Sequence, residues 1–253
     1  MLLFFDERHI MAQNHDTNVF YGAWEKTSRK KKKAIRIFLS IFIFTGLSLG
    51  LCFLRFNVPF APDFLSGDFS VLPELIAAIA YGPIIGSVVC LLKFALHIVI
   101  LPTAAITDVS NCLTELAFLL TASVFYYKKQ FHKKERNKQG KKRQYRRKRI
   151  IIGSLLGIIP ALIIQFVTNY YFVFPMLEKY YGQYGYMQAD ILQKYATSFA
   201  AISENLPKIT KLWQGIIAFN LPMTLVKLLI VTIAVALIYP IISPYLHFRK
   251  KTK

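Results

Sequence analysis

Long apolar runs separated by blocks of lysine and arginine constrain this 253-residue chain more than any other feature. The runs cover 37–54, 71–100, 111–127, 150–174 and 212–239. A helix that spans a membrane needs about 20 mostly apolar residues, and the runs approach or exceed that length. The chain is 55% hydrophobic yet has a net charge of +19, which is untypical of a soluble domain. We therefore interpret the sequence as that of an all-α membrane protein.

The basic blocks indicate how the chain crosses the membrane. Of the 32 Lys and Arg residues, 24 lie in 26–36, 128–149 and 249–253. Such clusters beside spans stay on the cytoplasmic side, so an even number of spans must separate the first two. The run 71–100 is therefore predicted to cross twice and to reverse at Tyr81-Gly82-Pro83, where glycine and proline end helices. This predicts six transmembrane helices, with the N and C termini both cytoplasmic.

The same pattern divides the chain into three predicted parts. A basic cytoplasmic extension covers 1–36, a six-helix membrane domain 37–245, and a basic cytoplasmic tail 246–253. Inside the domain, 128–149 is predicted to be a cytoplasmic loop. The Tyr-rich segment 175–211 is predicted to be an external loop that carries an amphipathic helix at the surface. Basic runs also bind nucleic acid, but beside two spans we favour contact with anionic membrane lipids and expect no nucleic-acid partner.

Motifs for metal binding, ATP hydrolysis and dinucleotide binding do not occur in the sequence. Cys52, Cys90 and Cys112 lie in or beside apolar runs and lack the spacing of a metal or redox site, so we interpret them as small buried side chains. HExxH, the Walker A motif and GxGxxG are absent. We therefore expect no metal site in this chain and no ATP hydrolysis by it.

Several polar residues lie inside the apolar runs, where a charged group is costly and points to a function. They are Lys93, His97, Asn111, Glu115, Asn169 and Lys227. In the predicted topology they fall at mid-depth or in the outer half of the membrane. As a set they predict a polar pocket that is open to the outside. Each one alone could equally bond helix to helix, and Lys93 could extend its ammonium to the membrane surface.

Gly46-Leu47-Ser48-Leu49-Gly50 matches the G-x-S-x-G pattern of serine hydrolases. A remote alternative function is therefore an intramembrane serine hydrolase that uses Ser48 and His97. The pattern lacks the strand-turn-helix context of that nucleophile. Gly46 and Gly50 also form a small-xxx-small pair, which is typical of a helix that packs closely against another helix.

Sequence blocks along 37–245 resemble the substrate-binding (S) component of energy-coupling factor (ECF) vitamin transporters, most closely the riboflavin type. The blocks are Val58-Pro59-Phe60-Ala61-Pro62-Asp63-Phe64-Leu65, Asp68-Phe69-Ser70-Val71-Leu72-Pro73-Glu74-Leu75, Tyr81-Gly82-Pro83-Ile84-Ile85-Gly86, Leu91-Leu92-Lys93-Phe94-Ala95-Leu96-His97, Asn169-Tyr170-Tyr171-Phe172-Val173-Phe174-Pro175 and Pro222-Met223-Thr224-Leu225-Val226-Lys227. Several blocks in the same order are more specific than any single motif.

The resemblance implies a non-enzymatic, multi-pass transport subunit in a bacterial cell membrane. It would capture riboflavin as the transported ligand from outside, need no cofactor, and dock on a transmembrane coupling subunit with two ATP-binding subunits. The docking patch on the first helix would fall at Gly46 and Gly50. The alternative within the family is another vitamin or a vitamin precursor.

The resemblance also implies a set of substrate-binding residues. They are Asp68, Phe69, Asp108, Asn111, Asn169, Tyr170, Thr224 and Lys227. Thr224 stands where the family has asparagine, and Asn220, one turn earlier, could substitute. Phe69 and Tyr170 would supply a slot for the flavin ring, the amides and Lys227 would donate to its acceptors, and Asp68 or Asp108 would meet the ribityl hydroxyls.

Overall fold

The computed structural model describes residues 31, 34–57, 61–62, 64–128, 139–202 and 209–246. Nearly all of the predicted extension 1–36 and tail 246–253 lies outside these residues, so those two assignments stay predictions. The chain divides into two units, one that ends at Phe42 and one that begins at Ile43. Within it, the rings of Phe38 and Phe42 lie 4.8 Å apart on successive turns.

Helices make up almost all of the described chain. In order, the elements are α1 Ala34–Phe53, β1 Phe56–Asn57, β2 Ser66–Gly67, α2 Val71–Tyr81, α3 Pro83–Ile100, a 3-10 turn Pro102–Ala104, α4 Ala105–Lys128, α5 Gln139–Thr168, a π segment Asn169–Val173, α6 Phe174–Tyr181, a 3-10 turn Gly182–Tyr184, α7 Gln188–Ile202, α8 Leu212–Gly215, a second π segment Ile216–Asn220 and α9 Leu221–Leu246. β1 and β2 form a two-stranded antiparallel ribbon in which Phe56 pairs with Gly67. The all-α prediction is confirmed.

Five helical stretches of the described residues are long and apolar enough to cross a membrane. They are Ala34–Phe53, Pro83–Ile100, Pro102–Lys128, Arg147–Tyr184 and Leu212–Ser243. The sixth predicted span corresponds to α2, which is apolar but has only 11 residues. The count of six crossings and the side of each terminus therefore stay predictions.

The predicted break inside the run 71–100 is confirmed at Gly82. α2 ends at Tyr81 and α3 begins at Pro83, and Gly82 between them has φ +112°, which favours glycine. A Cβ added to Gly86 would lie 2.4 Å from Cβ of Ala78. The two helices therefore pack almost backbone to backbone directly after the turn.

α4 and α5 meet in the same close manner. A Cβ on Gly153 would lie 2.6 Å from the carbonyl oxygen of Ala122, and one on Gly157 would lie 2.8 Å from that of Phe118. These glycines, four residues apart, let the two backbones approach. α5 begins at Gln139, inside the segment 128–149 that was predicted to be a loop. The helix thus extends well before the apolar run, because lysine, arginine and glutamine are themselves good helix formers.

The segment 175–211, predicted to be an external loop that carries a helix, is largely helical among its described residues, and its external position stays a prediction. α5 continues through the first π segment into α6, and α7 follows after a turn at Gly185. α7 is amphipathic, as predicted, and buries Ile191 and Tyr195. These two side chains pack in one apolar cluster with residues of the neighbouring helices, namely Val173, Phe174, Leu177, Ile209, Leu212, Ile216 and Phe219.

Candidate functional site

A cavity lies among α4, the α5–α6 junction, the start of α9 and the segment before α2. Six of the eight predicted binding residues line it: Asp68, Asp108, Asn111, Asn169, Thr224 and Lys227. The structure therefore brings together residues that are up to 159 positions apart in the sequence (227 − 68). Their role in binding stays a prediction.

α4 contributes a polar stripe to this cavity. The stripe comprises Thr107, Asp108, Ser110, Asn111, Thr114 and Glu115. Their spacing of three and four residues places them on one side of the helix. Asp108, Asn111 and Glu115 were predicted from the sequence, but the three hydroxyl residues that directly precede them were not. The same helical spacing could have shown these, and also Gln165, which lies one turn before Asn169.

The charged residues in the apolar runs form one buried network. Nζ of Lys227 lies 3.0 Å from Oε1 of Glu115 and 3.7 Å from Oδ1 of Asp68. Nζ of Lys93 contacts the other oxygen of Glu115 and lies 2.8 Å from Oε1 of Glu74. Lys93, whose side chain is only 7% exposed, therefore pairs inside the protein and does not extend to the surface. Buried charges persist when they are paired in this way.

Asp68 joins the cavity to this network from the segment before α2. The backbone N–H of Ser70 donates to Oδ1 of Asp68 at 2.8 Å, and the hydroxyl of Ser70 accepts from Lys93 at 3.0 Å. Burial by itself would raise the pKa of Asp68, but Lys227, Lys93 and the hydrogen bonds of Ser70 outweigh it and lower that pKa to about 2. Asp68 is therefore an anion at neutral pH, and it lies at the wall of the cavity.

Ser48 and His97, the pair required by the hydrolase alternative, have different partners. The hydroxyl of Ser48 lies 2.7 Å from the carbonyl oxygen of Ser70 and 2.8 Å from Oε1 of Glu74. His97 contacts Asp108 through Nδ1, and Nε2 lies 3.4 Å from a nitrogen of Arg55. A serine nucleophile needs its base within hydrogen-bond reach. The hydrogen bonds of both residues are directed elsewhere, which argues against the hydrolase.

Two asparagines reach the cavity from π segments. Asn169 begins the first segment, and its Nδ2 donates to the carbonyl oxygen of Gln165 at 2.8 Å and to Ser110 at 3.3 Å. Asn220 ends the second segment and also lines the cavity. Single π turns within α-helices often occur at functional sites. Nothing in the sequence indicates either π turn.

Phe69 and Tyr170, the two predicted aromatic contacts, do not line the cavity. Phe69 stacks on Phe56 at 4.9 Å between ring centroids, and Tyr170 stacks on Phe166 at 6.0 Å. The aromatic rings that line the cavity are those of Phe64 and Phe174. Both belong to sequence blocks that carry the family resemblance, but nothing in the sequence singled them out from their aromatic neighbours.

One group of side chains has the composition of a metal site. Ligand atoms of Glu74, Cys90 and Glu115 lie within 4.8 Å of one another and are buried. The ammonium of Lys93 already contacts both carboxylates. The two carboxylates that would attract a cation therefore already share the ammonium of Lys93, and Glu115 also pairs with Lys227.

Comparison with known proteins shows the family of the chain. The sequence pattern of the family described as "ECF transporter, substrate-specific component" matches residues 34–239. The chain is 27% identical over 208 residues to the riboflavin transporter RibU of Staphylococcus aureus (strain TCH60), covering 82% of this chain and 90% of that protein. It is 23% identical over 206 residues to the riboflavin transporter FmnP of Bacillus subtilis (strain 168), covering 80% and 90%.

A solved structure shares the fold. It is described as "Structure and mechanism of the S component of a bacterial ECF transporter" and aligns with a TM-score of 0.57 and 23% identity. The alignment covers 83% of this chain and 96% of that one. The chain therefore belongs to the family of substrate-specific components of ECF transporters, and it is a multi-pass membrane protein.

Proposed function

We propose that this chain captures riboflavin outside the cell membrane and delivers it to an ECF transporter. The observation that carries the proposal is the cavity itself, where amide, ammonium and carboxylate groups predicted from the riboflavin-type family converge. The names of two relatives that match about four fifths of the chain support the choice of riboflavin. Another vitamin or precursor is the alternative.

The lining of the cavity suits the two halves of riboflavin. Phe64, Phe174 and Leu177 offer apolar surface for the flat isoalloxazine ring. Asn111 and Asn169 offer amide groups, and Asp68 and Asp108 offer acceptors for the ribityl hydroxyls. Ligand sites typically combine an apolar lining with a few placed polar groups. No covalent step is required of any residue.

The test is direct because riboflavin is coloured and fluorescent. The full chain, purified in detergent, is expected to show flavin absorbance or to quench the fluorescence of added riboflavin in a saturable titration. Thiamine and biotin serve as competitors and are expected to have no effect on the quenching. A colourless protein that leaves riboflavin fluorescence unchanged, or one from which thiamine displaces riboflavin, would contradict the proposal.

We also propose that α1 docks on the coupling subunit, whose two ATP-binding partners hydrolyse ATP. Gly46 and Gly50 are exposed on α1, and a Cβ added to either would meet no atom within 4 Å. Gly153 and Gly157, the comparable pair on α5, are buried against α4. An exposed small-xxx-small pair suits close packing against a helix of another chain.

A further inference from the structure

Tyr195 on α7 connects the segment after α6 to the wall of the cavity. Its hydroxyl donates to Oδ1 of Asn220 at 2.7 Å, and Asn220 lines the cavity. Tyr195 is fully buried and Asn220 is 4% exposed. The hydrogen bond therefore lies in a protected environment, where losing one partner is costly to the other.

Packing on several sides fixes the position of the Tyr195 ring. The ring stacks on Phe219 at 5.8 Å and meets Phe64 at 5.3 Å and Phe174 at 6.1 Å nearly edge to face. A Cβ on Gly215 would lie 2.5 Å from carbons of this ring, so the ring rests directly on the backbone there. The direction of the hydroxyl is thus set by the aromatic cluster.

The hydrogen bond determines which group Asn220 presents to a ligand. The oxygen and nitrogen of a primary amide lie on opposite branches of one planar group. Because Tyr195 engages the oxygen, the nitrogen of Asn220 keeps its N–H groups for another partner, and Asn220 lines the cavity. An amide nitrogen donates hydrogen bonds, so its partner on the ligand must be an acceptor.

We propose that Tyr195 is a positioning residue that fixes Asn220 as a hydrogen-bond donor to a carbonyl oxygen or nitrogen of the flavin ring, an inference that rests on the proposed function. The ring is the partner because Tyr195 also contacts Phe64 and Phe174, the aromatic side chains that line the cavity. Selectivity for the ring is therefore set in part by α7, outside the candidate spans.

The experiment titrates riboflavin and lumiflavin, which keeps the ring but lacks the ribityl chain, into four forms of the full-length protein. These are the wild type, Tyr195→Phe, Asn220→Ala and the double variant. Tyr195→Phe keeps the ring packing and removes only the hydroxyl. It is expected to weaken the binding of both flavins by the same factor, about tenfold, since one buried hydrogen bond is lost. In the Asn220→Ala background, Tyr195→Phe is expected to cause no further loss.

Two controls separate positioning from folding. Tyr184→Phe, at an exposed tyrosine just before α7, is expected to leave both affinities unchanged. Asn220→Asp keeps an acceptor for Tyr195 and removes the N–H donor offered to the ligand. It is expected to weaken the binding of both flavins, and this result can be read even if Tyr195→Phe unfolds. If Tyr195 had a purely structural role, Tyr195→Phe would instead reduce the affinity by the same factor in the wild type and in the Asn220→Ala background.

Each other outcome overturns the inference. Wild-type affinity in Tyr195→Phe and Asn220→Asp would do so while leaving the proposed function intact. A loss seen with riboflavin but not with lumiflavin would place the contact on the ribityl chain. A wild-type protein that binds neither flavin would defeat the proposed function and this inference with it.

Discussion

Glu115 and Lys227 are 112 residues apart in the sequence, and their side chains lie 3.0 Å apart at the wall of the cavity. The second oxygen of Glu115 contacts Lys93, so one carboxylate holds two lysines from different helices. Because the three residues lie on different helices, their ion pairs fix α3, α4 and α9 to one another. The polar site and the tertiary packing of the spans therefore depend on the same residue.

Replacing Glu115 by glutamine is expected to destabilise the protein. The substitution leaves two buried ammonium groups without their shared anion, and breaking a buried ion pair costs about 3–5 kcal/mol. Thermal unfolding in detergent, followed by circular dichroism, measures the effect. Glu178→Gln, at an exposed glutamate on α6, is the control and should unfold like the wild type. Equal unfolding temperatures for Glu115→Gln and the wild type would contradict the structural role.

Removing the side-chain amide of Asn169 is expected to weaken riboflavin binding without unfolding the protein. Asn169→Ala loses the contacts to Ser110 and to the carbonyl oxygen of Gln165, which orient the amide in the cavity. When a buried polar site loses one of its hydrogen-bonding groups, its affinity for the ligand is expected to fall by a factor of more than about ten. Fluorescence quenching measures the affinity, and Asn57→Ala, at an exposed residue of β1 that does not line the cavity, is the control. Wild-type affinity in Asn169→Ala would remove this residue from the site.

Leucines at Gly46 and Gly50 are expected to abolish transport and leave riboflavin binding unchanged. Space is open around both positions, so the side chains fit in the isolated chain but would obstruct a partner helix. Uptake of riboflavin by cells that also produce the partner subunits, compared with binding by the purified protein, separates the two effects. Transport at the wild-type rate would contradict docking through this face.

Gly157→Leu is the matched contrast on α5. Its side chain would enter the space of the Phe118 carbonyl oxygen on α4. We expect it to lower the unfolding temperature of the purified protein, which the substitutions on α1 should not do. Equal destabilisation by the leucines on α1 and on α5 would contradict the open space around the α1 glycines.

The stabilising contribution of Asp68 is expected to disappear only in strong acid. Its pKa falls from an ordinary 3.8 to about 2 on folding, so the folded state favours the carboxylate. That contribution is complete above about pH 5 and is lost as the pH falls from about 4 toward 2. Thermal unfolding of the wild type and Asp68→Asn at several pH values checks this. The difference in unfolding temperature between the two proteins should be constant from pH 8 to 5 and shrink below pH 4.

The sequence predicts the helical class and the break at Gly82 because apolar length and glycine-proline punctuation are local signals. Three residues that line the cavity, Asn111, Asn169 and Lys227, were predicted because polar groups inside apolar runs are rare and cluster. Asp68, Asp108 and Thr224 were predicted only from the family resemblance. The extent of α5 was missed because basic residues conceal a helix from a search for apolar runs. Phe69 and Tyr170 do not line the cavity because adjacent aromatic residues on a helix or turn face different sides, and only the tertiary packing decides which ring enters the cavity.

The glycine contacts between α4 and α5 lock together two helices that carry polar residues of the cavity. Where their backbones touch, no rotamer change can create space between them. Asp108 and Asn111 on α4, and Asn169 directly after α5, are therefore held on one rigid pair of elements. We expect these polar groups to keep their spacing whether or not a ligand is bound.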